Sequence, residues 1–201
     1  MTRHLTTEET QKNILRVAET LFMELGYQAV STRQVARECG ISQPTLYYHF
    51  ADKQELYVAV LLEALRRMSR DLQVIVAGPD QSIEEKLTRM SVYILRQTSH
   101  DINLRSMLHD IESQLDEASR LKVSEAFFTG MILPITGVLQ GVPRPESGLS
   151  PVKLAFVYLS ILSSGADRDF QRLMGRAISP DAVAREAVSL THLFLHGLLH
   201  S

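Results

Sequence analysis

Apolar positions recur every three or four residues along almost the whole chain, which is the spacing of one face of an α-helix. The first such stripe comprises Ile14, Val17, Ala18, Leu21, Phe22 and Leu25. A longer stripe comprises Val58, Leu61, Leu62, Leu65, Met68, Leu72 and Ile75. No stretch alternates apolar and polar residues between turn signals, as a half-buried strand would. The pattern therefore predicts an all-α fold.

The lengths of the predicted helices along the chain suggest two domains. Further helices are predicted around residues 81–99, 103–114, 116–140, 151–165 and 179–199. Pro134 falls inside one of them and should kink or end it, because proline has no backbone N–H. The elements are short before about residue 50 and longer afterwards. We therefore expect an N-terminal domain at residues 1–51 and a larger helical domain at residues 52–201.

Residues 30–50 carry the signals of two short helices joined by a tight turn. Ser31, followed three residues later by glutamine, is a capping box that starts the first helix. Gly40 permits a positive φ, so the chain can turn sharply there. Ser42 can cap the second helix, predicted for Gln43–Phe50. Two short helices around a glycine-containing turn form a helix-turn-helix.

The second of these helices has a polar outer face. Leu46 and Phe50 lie one turn apart and can anchor it to the core, which leaves the other side chains pointing outward. Glutamine can pair with adenine edges, threonine can contact a thymine methyl group, and tyrosine can reach phosphate oxygens. The candidate contacts on this helix are Gln43, Pro44, Thr45, Tyr47, Tyr48 and His49.

Groups suited to DNA phosphates flank that helix. Asp52 and Glu55 form a further capping box. Lys53 would then lie at a helix N-terminus, where unpaired N–H groups and a partial positive charge favour an anion. Ser31, Arg33 and Arg37 could act in the same way at the preceding helix. The residues selected as predicted DNA contacts are Ser31, Arg33, Gln43, Pro44, Thr45, Tyr47, Tyr48, His49 and Lys53.

The run from Gly26 to Lys53 resembles the DNA-binding domain of TetR-family transcriptional regulators. The resemblance spans about the first quarter of the chain and is clearest at Gln43-Pro44-Thr45-Leu46-Tyr47. Cys39 stands where the family usually has alanine, a change between two small residues. The resemblance implies a three-helix DNA-binding domain, followed by a larger helical domain that binds an effector and mediates dimerisation.

The last predicted helix is apolar on two adjacent faces, as a helix shared between a core and a partner would be. One face repeats at alternating steps of four and three, which is a heptad-like seam. The residues of this seam are Val183, Ala187, Leu190, Phe194 and Gly197. We predict it as the homodimer interface, with burial inside one subunit as the alternative.

Aromatic and sulfur-containing residues gather in the middle helices. Ordinary core packing explains them, and so does a mostly apolar effector pocket with a few polar groups, so both interpretations stay open. The candidate pocket residues are Met90, Tyr93, Met107, His109, Phe127, Phe128, Met131, Phe156 and Tyr158.

Signals for other classes of protein are weak. The sequence has no Gly-rich phosphate loop, nucleophile elbow or His-Glu-x-x-His motif, so we expect neither an enzyme nor a cofactor. His192, His196 and His200 share one helix face, but solvated histidines explain them better than a metal site. No signal-peptide core follows the N-terminus, no apolar run approaches the ~20 residues that cross a bilayer, and Cys39 is the only cysteine. We therefore expect a cytoplasmic protein with no membrane segment.

Net charge does not point to DNA. The 201 residues include 21 basic and 23 acidic ones, and residues 1–53 carry six of each. Non-specific affinity for DNA should therefore be modest, with specificity resting on a few well-placed groups.

These features together favour a homodimeric regulator, most simply a repressor, that a largely apolar small molecule releases from a pseudo-palindromic operator. Two alternatives stay open, namely a DNA-binding regulator without an effector and a helical metal-sensing protein. The sequence does not separate a repressor from an activator.

Overall fold

The computed structural model describes residues 6–78, 82–100, 110–142, 148–165 and 180–199, and all regular structure in them is helical. The helices are α1 (Thr7–Ala29), α2 (Thr32–Glu38), α3 (Gln43–His49), α4 (Lys53–Ala77), α5 (Ile83–His100), α6 (Glu117–Phe127), α7 (Leu133–Leu139), α8 (Pro151–Gly165) and α9 (Pro180–Leu199). A π-helical turn, Phe128–Ile132, joins α6 to α7. The all-α prediction is confirmed.

The chain forms two compact units. The first comprises Met1–Ala64 and Ser106–Ser124, and the second comprises Leu65–Arg105 and Glu125–Ser201. The domain border between residues 51 and 52 was inferred from element lengths alone and stays a prediction.

Helix α1 starts and ends at the signals that its sequence carries. The backbone N–H of Glu9 donates to Thr6 Oγ1 at 3.2 Å, and the Glu9 carboxylate accepts from the Thr6 N–H at 2.8 Å. This reciprocal box satisfies two N–H groups that the first turn would otherwise leave unpaired. Gly26 has φ of 80°, and the regular helix breaks there before a last turn reaches Ala29.

The core of the first unit forms where the apolar stripes of its helices meet. α2 packs against both α1 and α3. Phe22 and Tyr57 meet edge to face with ring centroids 4.9 Å apart, and Tyr27 lies 4.8 Å from Tyr57. The other buried side chains include Ile14, Val17, Ala18, Val30, Val35, Ala36, Leu46, Phe50, Leu56 and Leu61. This core fixes α3 with one face inward and one face outward.

In the second unit, α5 lies along α9 and both contact α8. Three buried hydroxyl groups join these helices. The hydroxyl of Tyr158 donates to the Leu87 carbonyl at 2.7 Å, and Ser91 Oγ lies 2.5 Å from Tyr158 Oη and 2.8 Å from Thr191 Oγ1. Since each hydroxyl has one proton, Ser91 donates to Tyr158 and Thr191 donates to Ser91. Each of these three buried hydroxyl groups therefore has a partner.

The helix predicted for residues 116–140 is nearly continuous through Pro134. Proline has no N–H to donate to the carbonyl of Gly130, four residues earlier. The chain adopts a π-helical turn over Phe128–Ile132 instead of ending. A π-helical turn inside an α-helix relieves a local mismatch of the hydrogen-bond ladder.

The same stretch comes closer to a membrane-spanning segment than the sequence suggested. Glu117–Leu139 reaches a mean hydropathy of 1.2 over 18 residues, which is enough in length and composition to cross a bilayer. This is weak evidence, because 39% of that window is buried inside the protein and core helices pass the same test.

Candidate nucleic-acid interface

Helices α2 and α3 meet through the predicted tight turn. Ser31 Oγ accepts from the Gln34 N–H at 3.1 Å, and Ser42 Oγ accepts from the Thr45 N–H at 3.2 Å. Both serines are therefore N-caps, as predicted. Gly40 has φ of 68°, a conformation that side chains with a Cβ rarely adopt.

Burial separates the two faces of α3 as predicted. Leu46 is fully buried and Phe50 is 3% exposed. Tyr48 is 79% exposed and Tyr47 is 44% exposed. The other predicted contact residues of this helix are exposed or half-buried, namely Gln43, Pro44, Thr45 and His49. The face that points away from the core is therefore rich in neutral hydrogen-bonding groups.

A groove of about 660 Å³ runs along α2 and the start of α3, and Ser31, Arg33, Arg37 and Gln43 contribute to its lining. Arg37 is the further residue of this helix that the sequence indicated as able to serve a phosphate. It pairs with Glu38 at 3.0 Å, but both side chains are largely exposed. Such surface pairs contribute little, so a phosphate can replace the glutamate as the partner of Arg37.

Side chains from α2 and α3 also form a small hydrogen-bonded cluster at one end of this groove. Gln43 Nε2 lies 3.4 Å from Thr32 Oγ1 and 3.5 Å from Tyr47 Oη, and these two oxygens are 3.1 Å apart. Sequence reasoning missed Thr32, because its partners are 11 and 15 residues away and no local motif links them.

Lys53 begins α4 as predicted, but its side chain is held by the protein. Its Nζ lies 4.3 Å from the centroid of the Tyr27 ring and donates to the Gln28 carbonyl at 3.3 Å. Partial burial lowers the pKa of Lys53. The predicted capping box of Asp52 and Glu55 forms with one different partner. The Asp52 carboxylate accepts from the Glu55 N–H at 2.7 Å, but the Glu55 carboxylate accepts from the Ala51 N–H at 2.6 Å. The lysine charge is thus held at the C-terminal end of α1.

The first unit includes a segment that sequence reasoning placed in the other domain. Gln54 donates to the Asp116 carboxylate at 2.6 Å, and the Tyr57 hydroxyl lies 3.5 Å from Asp110. The hydrogen bond from the Ser119 N–H is the main cause that lowers the pKa of Asp116. Nothing in the spacing of these residues signals contacts across more than 50 positions.

The predicted effector-pocket residues are not brought together as one set. Met90, Met131 and Tyr158 are buried in the second unit, whereas Phe128 and Phe156 are exposed. Phe127 is half-buried, and Tyr93 donates to Asp71 at 2.8 Å. Met107 and His109 lie outside the described residues.

The predicted dimer seam needs correction. Val183, Ala187 and Phe194 are buried in the second unit, where α9 packs along α5. These three side chains belong to the core, because α9 packs against α5 and α8 and the ring of Phe194 lies 5.2 Å from that of Tyr158 on α8. Leu190 is half-buried and Gly197 is exposed, so only these two seam residues lie toward the surface.

The histidine stripe lies on the exposed side of α9. The rings of His192 and His196 are exposed and have centroids 3.8 Å apart, and His200 lies outside the described residues. Among the residues that are described, no group of three or more possible metal ligands occurs.

The sequence and the fold of this chain are similar to those of known regulatory proteins. The profile of "Bacterial regulatory proteins, tetR family" matches residues 14–60. The transcriptional repressor AcnR of Corynebacterium glutamicum is 30% identical over 122 residues, which cover 57% of this chain and 64% of AcnR. Other curated relatives include a protein named as a transcriptional activator. The chain spans between about a third and two thirds of the length of the first curated relatives that it matches.

Solved structures agree over nearly the whole chain. A TetR transcriptional regulator from Legionella pneumophila superposes with a TM-score of 0.74 at 24% identity, covering 98% of this chain and 100% of that one. The regulator FadR from Bacillus subtilis, solved in complex with stearoyl-CoA, superposes with a TM-score of 0.72 at 15% identity, covering 92% and 98%. The matched residues 14–60 include the caps, turn and outward face described above, so this segment matches the tetR family of bacterial regulatory proteins, and the chain as a whole shares the fold of a solved TetR regulator.

Proposed function

We propose that this protein is a homodimeric transcriptional repressor that binds a pseudo-palindromic DNA operator and is released from it by a small molecule. The observation that carries the proposal is the exposed polar face of α3, held on a buried anchor at Leu46. A recognition helix of this kind enters the major groove, and two copies bind half-sites about one helical turn apart. The protein then acts in the cytoplasm, with neither an enzymatic activity nor a cofactor.

The contacts divide into two classes. Gln43 and Thr45, at the start of α3, are placed to meet base edges, which carry sequence information. Ser31, Arg33 and Lys53 are placed to meet phosphates, which position the protein on any sequence. Pro44, Tyr47, Tyr48 and His49 complete the proposed surface.

Lys53→Ala is expected to weaken binding to every DNA sequence and to reduce the salt dependence of log K by about 1, because one phosphate contact is lost.

Gln43→Ala should instead relax the preference at one base pair of each half-site, at a cost of about 1–3 kcal/mol. Fluorescence anisotropy at several salt concentrations, with operators selected from random-sequence DNA, measures both effects.

Lys12→Ala is the matched control for Lys53→Ala. Lys12 is an exposed lysine of α1 that pairs with Glu8 at 2.7 Å. Its removal should leave DNA affinity and salt dependence unchanged. Equal behaviour of Lys53→Ala and Gln43→Ala would contradict the division into two classes.

The dimer face proposed here replaces the predicted seam. On α9, Leu190, Leu193 and Gly197 are three and four residues apart, so they lie on one side of the helix. Leu193 is 62% exposed, and Val188 of α9 and Phe156 of α8 are also exposed. Exposed apolar side chains on α8 and α9 support association with a second copy.

Ligand release rests on the interior of the second unit. The hydroxyl of Thr136 is buried, and it has no hydrogen-bond partner among the described residues. An unpaired buried hydroxyl costs about 1–3 kcal/mol, so a polar atom of a bound molecule would find a favourable partner there. FadR of Bacillus subtilis, which shares the fold, binds stearoyl-CoA. Both observations support a largely apolar effector with a polar group.

Stearoyl-CoA is a suitable first probe of this proposal. An effector lowers operator affinity only by its differential affinity for the two states of the protein. We expect addition of an acyl-CoA to dissociate the selected operator in an anisotropy titration, and Thr136→Val to keep the operator affinity while weakening the response. Operator binding that stays unchanged across a saturating series of acyl-CoAs and free fatty acids would favour a regulator without such an effector.

A further inference from the structure

We infer that Thr32 and Tyr47 orient the amide of Gln43 so that it presents only an acceptor to DNA, which makes these two hydroxyl groups positioning residues for base selection. The inference rests on the proposed DNA-binding function and assigns the chemical class of base that α3 selects.

The three side chains form a closed triangle. Its edges are 3.1 Å between Thr32 Oγ1 and Tyr47 Oη, 3.4 Å between Gln43 Nε2 and Thr32, and 3.5 Å between Gln43 Nε2 and Tyr47. Thr32 belongs to α2, whereas the other two belong to α3. Gln43 and Thr32 are half-buried, so the cluster lies at the edge of the groove and not in the open solvent.

The number of available protons determines which way the amide points. Three edges need three protons. With the NH₂ group inside the triangle, the amide supplies two protons and either hydroxyl supplies the third. With the carbonyl inside, the two hydroxyl groups supply only two protons, so one of the three edges has no hydrogen bond. The hydrogen-bond network therefore places Nε2 inward and Oε1 outward.

An outward Oε1 has a defined complement in the major groove. It accepts from an amino group, which only adenine N6 and cytosine N4 present there, whereas guanine and thymine present acceptors. The usual glutamine–adenine pair also uses the NH₂ group, which donates to adenine N7. Since the cluster engages that NH₂ group, Gln43 should accept both adenine and cytosine.

Selection from random-sequence DNA tests this inference. The position read by Gln43 is the one whose preference disappears in Gln43→Ala. There the wild type should select adenine and cytosine to similar extents and disfavour guanine and thymine by about fivefold or more. Thr32→Val and Tyr47→Phe each free one N–H of the amide, which can then donate to adenine N7, so both should shift the preference toward adenine over cytosine, also by about fivefold.

Thr32→Ser is the matched control, because it keeps the hydroxyl and should keep the wild-type preference. Tyr47→Phe is the second variant should Thr32→Val perturb the start of α2, since Tyr47 is partly exposed and only its hydroxyl is lost. Thermal unfolding of each variant shows that a changed preference is not a change of fold.

Modified bases give an independent measurement at the same position. Replacing adenine with 7-deazaadenine removes N7 and should leave the wild-type affinity unchanged while weakening Tyr47→Phe. Replacing adenine with purine removes the amino group and should weaken the wild type by about fivefold or more.

The inference is overturned if Thr32→Val and Tyr47→Phe both select the same bases as the wild type, or if the wild type selects guanine or thymine at this position. Failure of the proposed function looks different, because the wild type would then enrich no sequence at all, and the inference would fall with it.

Discussion

Leu46→Ala is expected to lower the free energy of unfolding by about 2–5 kcal/mol, the usual cost of removing a fully buried leucine side chain. Leu46 is fully buried beneath α3 and is the side chain that anchors this helix between its caps. A seven-residue helix does not hold its shape alone, because most of its stability comes from packing. Sequence-specific DNA binding should therefore be lost as well. Urea unfolding followed by circular dichroism, together with anisotropy on the selected operator, measures both effects.

Tyr48→Ala is the matched control on the same helix. Tyr48 is 79% exposed, so its loss should change the free energy of unfolding by no more than about 0.5 kcal/mol. Its loss should still weaken DNA binding, because its phenol lies on the proposed contact face. If Leu46→Ala unfolded like the wild type and bound the operator normally, the anchoring role of Leu46 would be wrong.

Leu193→Asp is expected to convert the proposed dimer to a monomer and to weaken operator binding by about 10²–10⁴-fold, because the two half-sites are then bound independently. Leu193 is 62% exposed on α9, so a carboxylate there is tolerated in a single subunit. At an interface between two copies, the same carboxylate would be buried without a partner, which is strongly unfavourable. Light scattering coupled to size-exclusion chromatography reports the mass, and anisotropy reports the affinity.

The control for this change is Leu121→Asp. Leu121 of α6 is 70% exposed, so the same substitution is made at an equally accessible leucine outside α8 and α9. Its mass and its operator affinity should match those of the wild type. A Leu193→Asp protein that remained dimeric would show that the interface does not include the side of α9 that carries Leu193.

Local signals in the sequence were reliable wherever one residue acts on its own backbone. Ser31 and Ser42 cap their helices as predicted, and the positive φ at Gly40 follows from the freedom of glycine. The polar face of α3 also followed, because the spacing of Leu46 and Phe50 fixes which side of a helix is buried.

The sequence misassigned residues wherever two helices compete for the same face. The heptad spacing of α9 could mark a partner or a neighbouring helix, and the stripe that includes Val183, Ala187 and Phe194 is buried where α9 packs against α5 and α8. Periodicity reports that a stripe is buried but does not report what buries it. Two of the predicted effector-pocket residues, Phe156 and Tyr158, lie on opposite sides of α8, because one side chain is exposed and the other is buried.

By itself, then, the sequence determined the helices, their caps, the turn and the outward face of α3, because these follow from interactions within a few residues. Only the tertiary structure decided which partners the polar side chains contact. Thr32 and Tyr47 meet Gln43, Tyr27 and Gln28 hold Lys53, and Ser91 joins Tyr158 to Thr191. Each of these contacts joins helices or turns through a side-chain direction, and such directions are fixed only when the cores close around them.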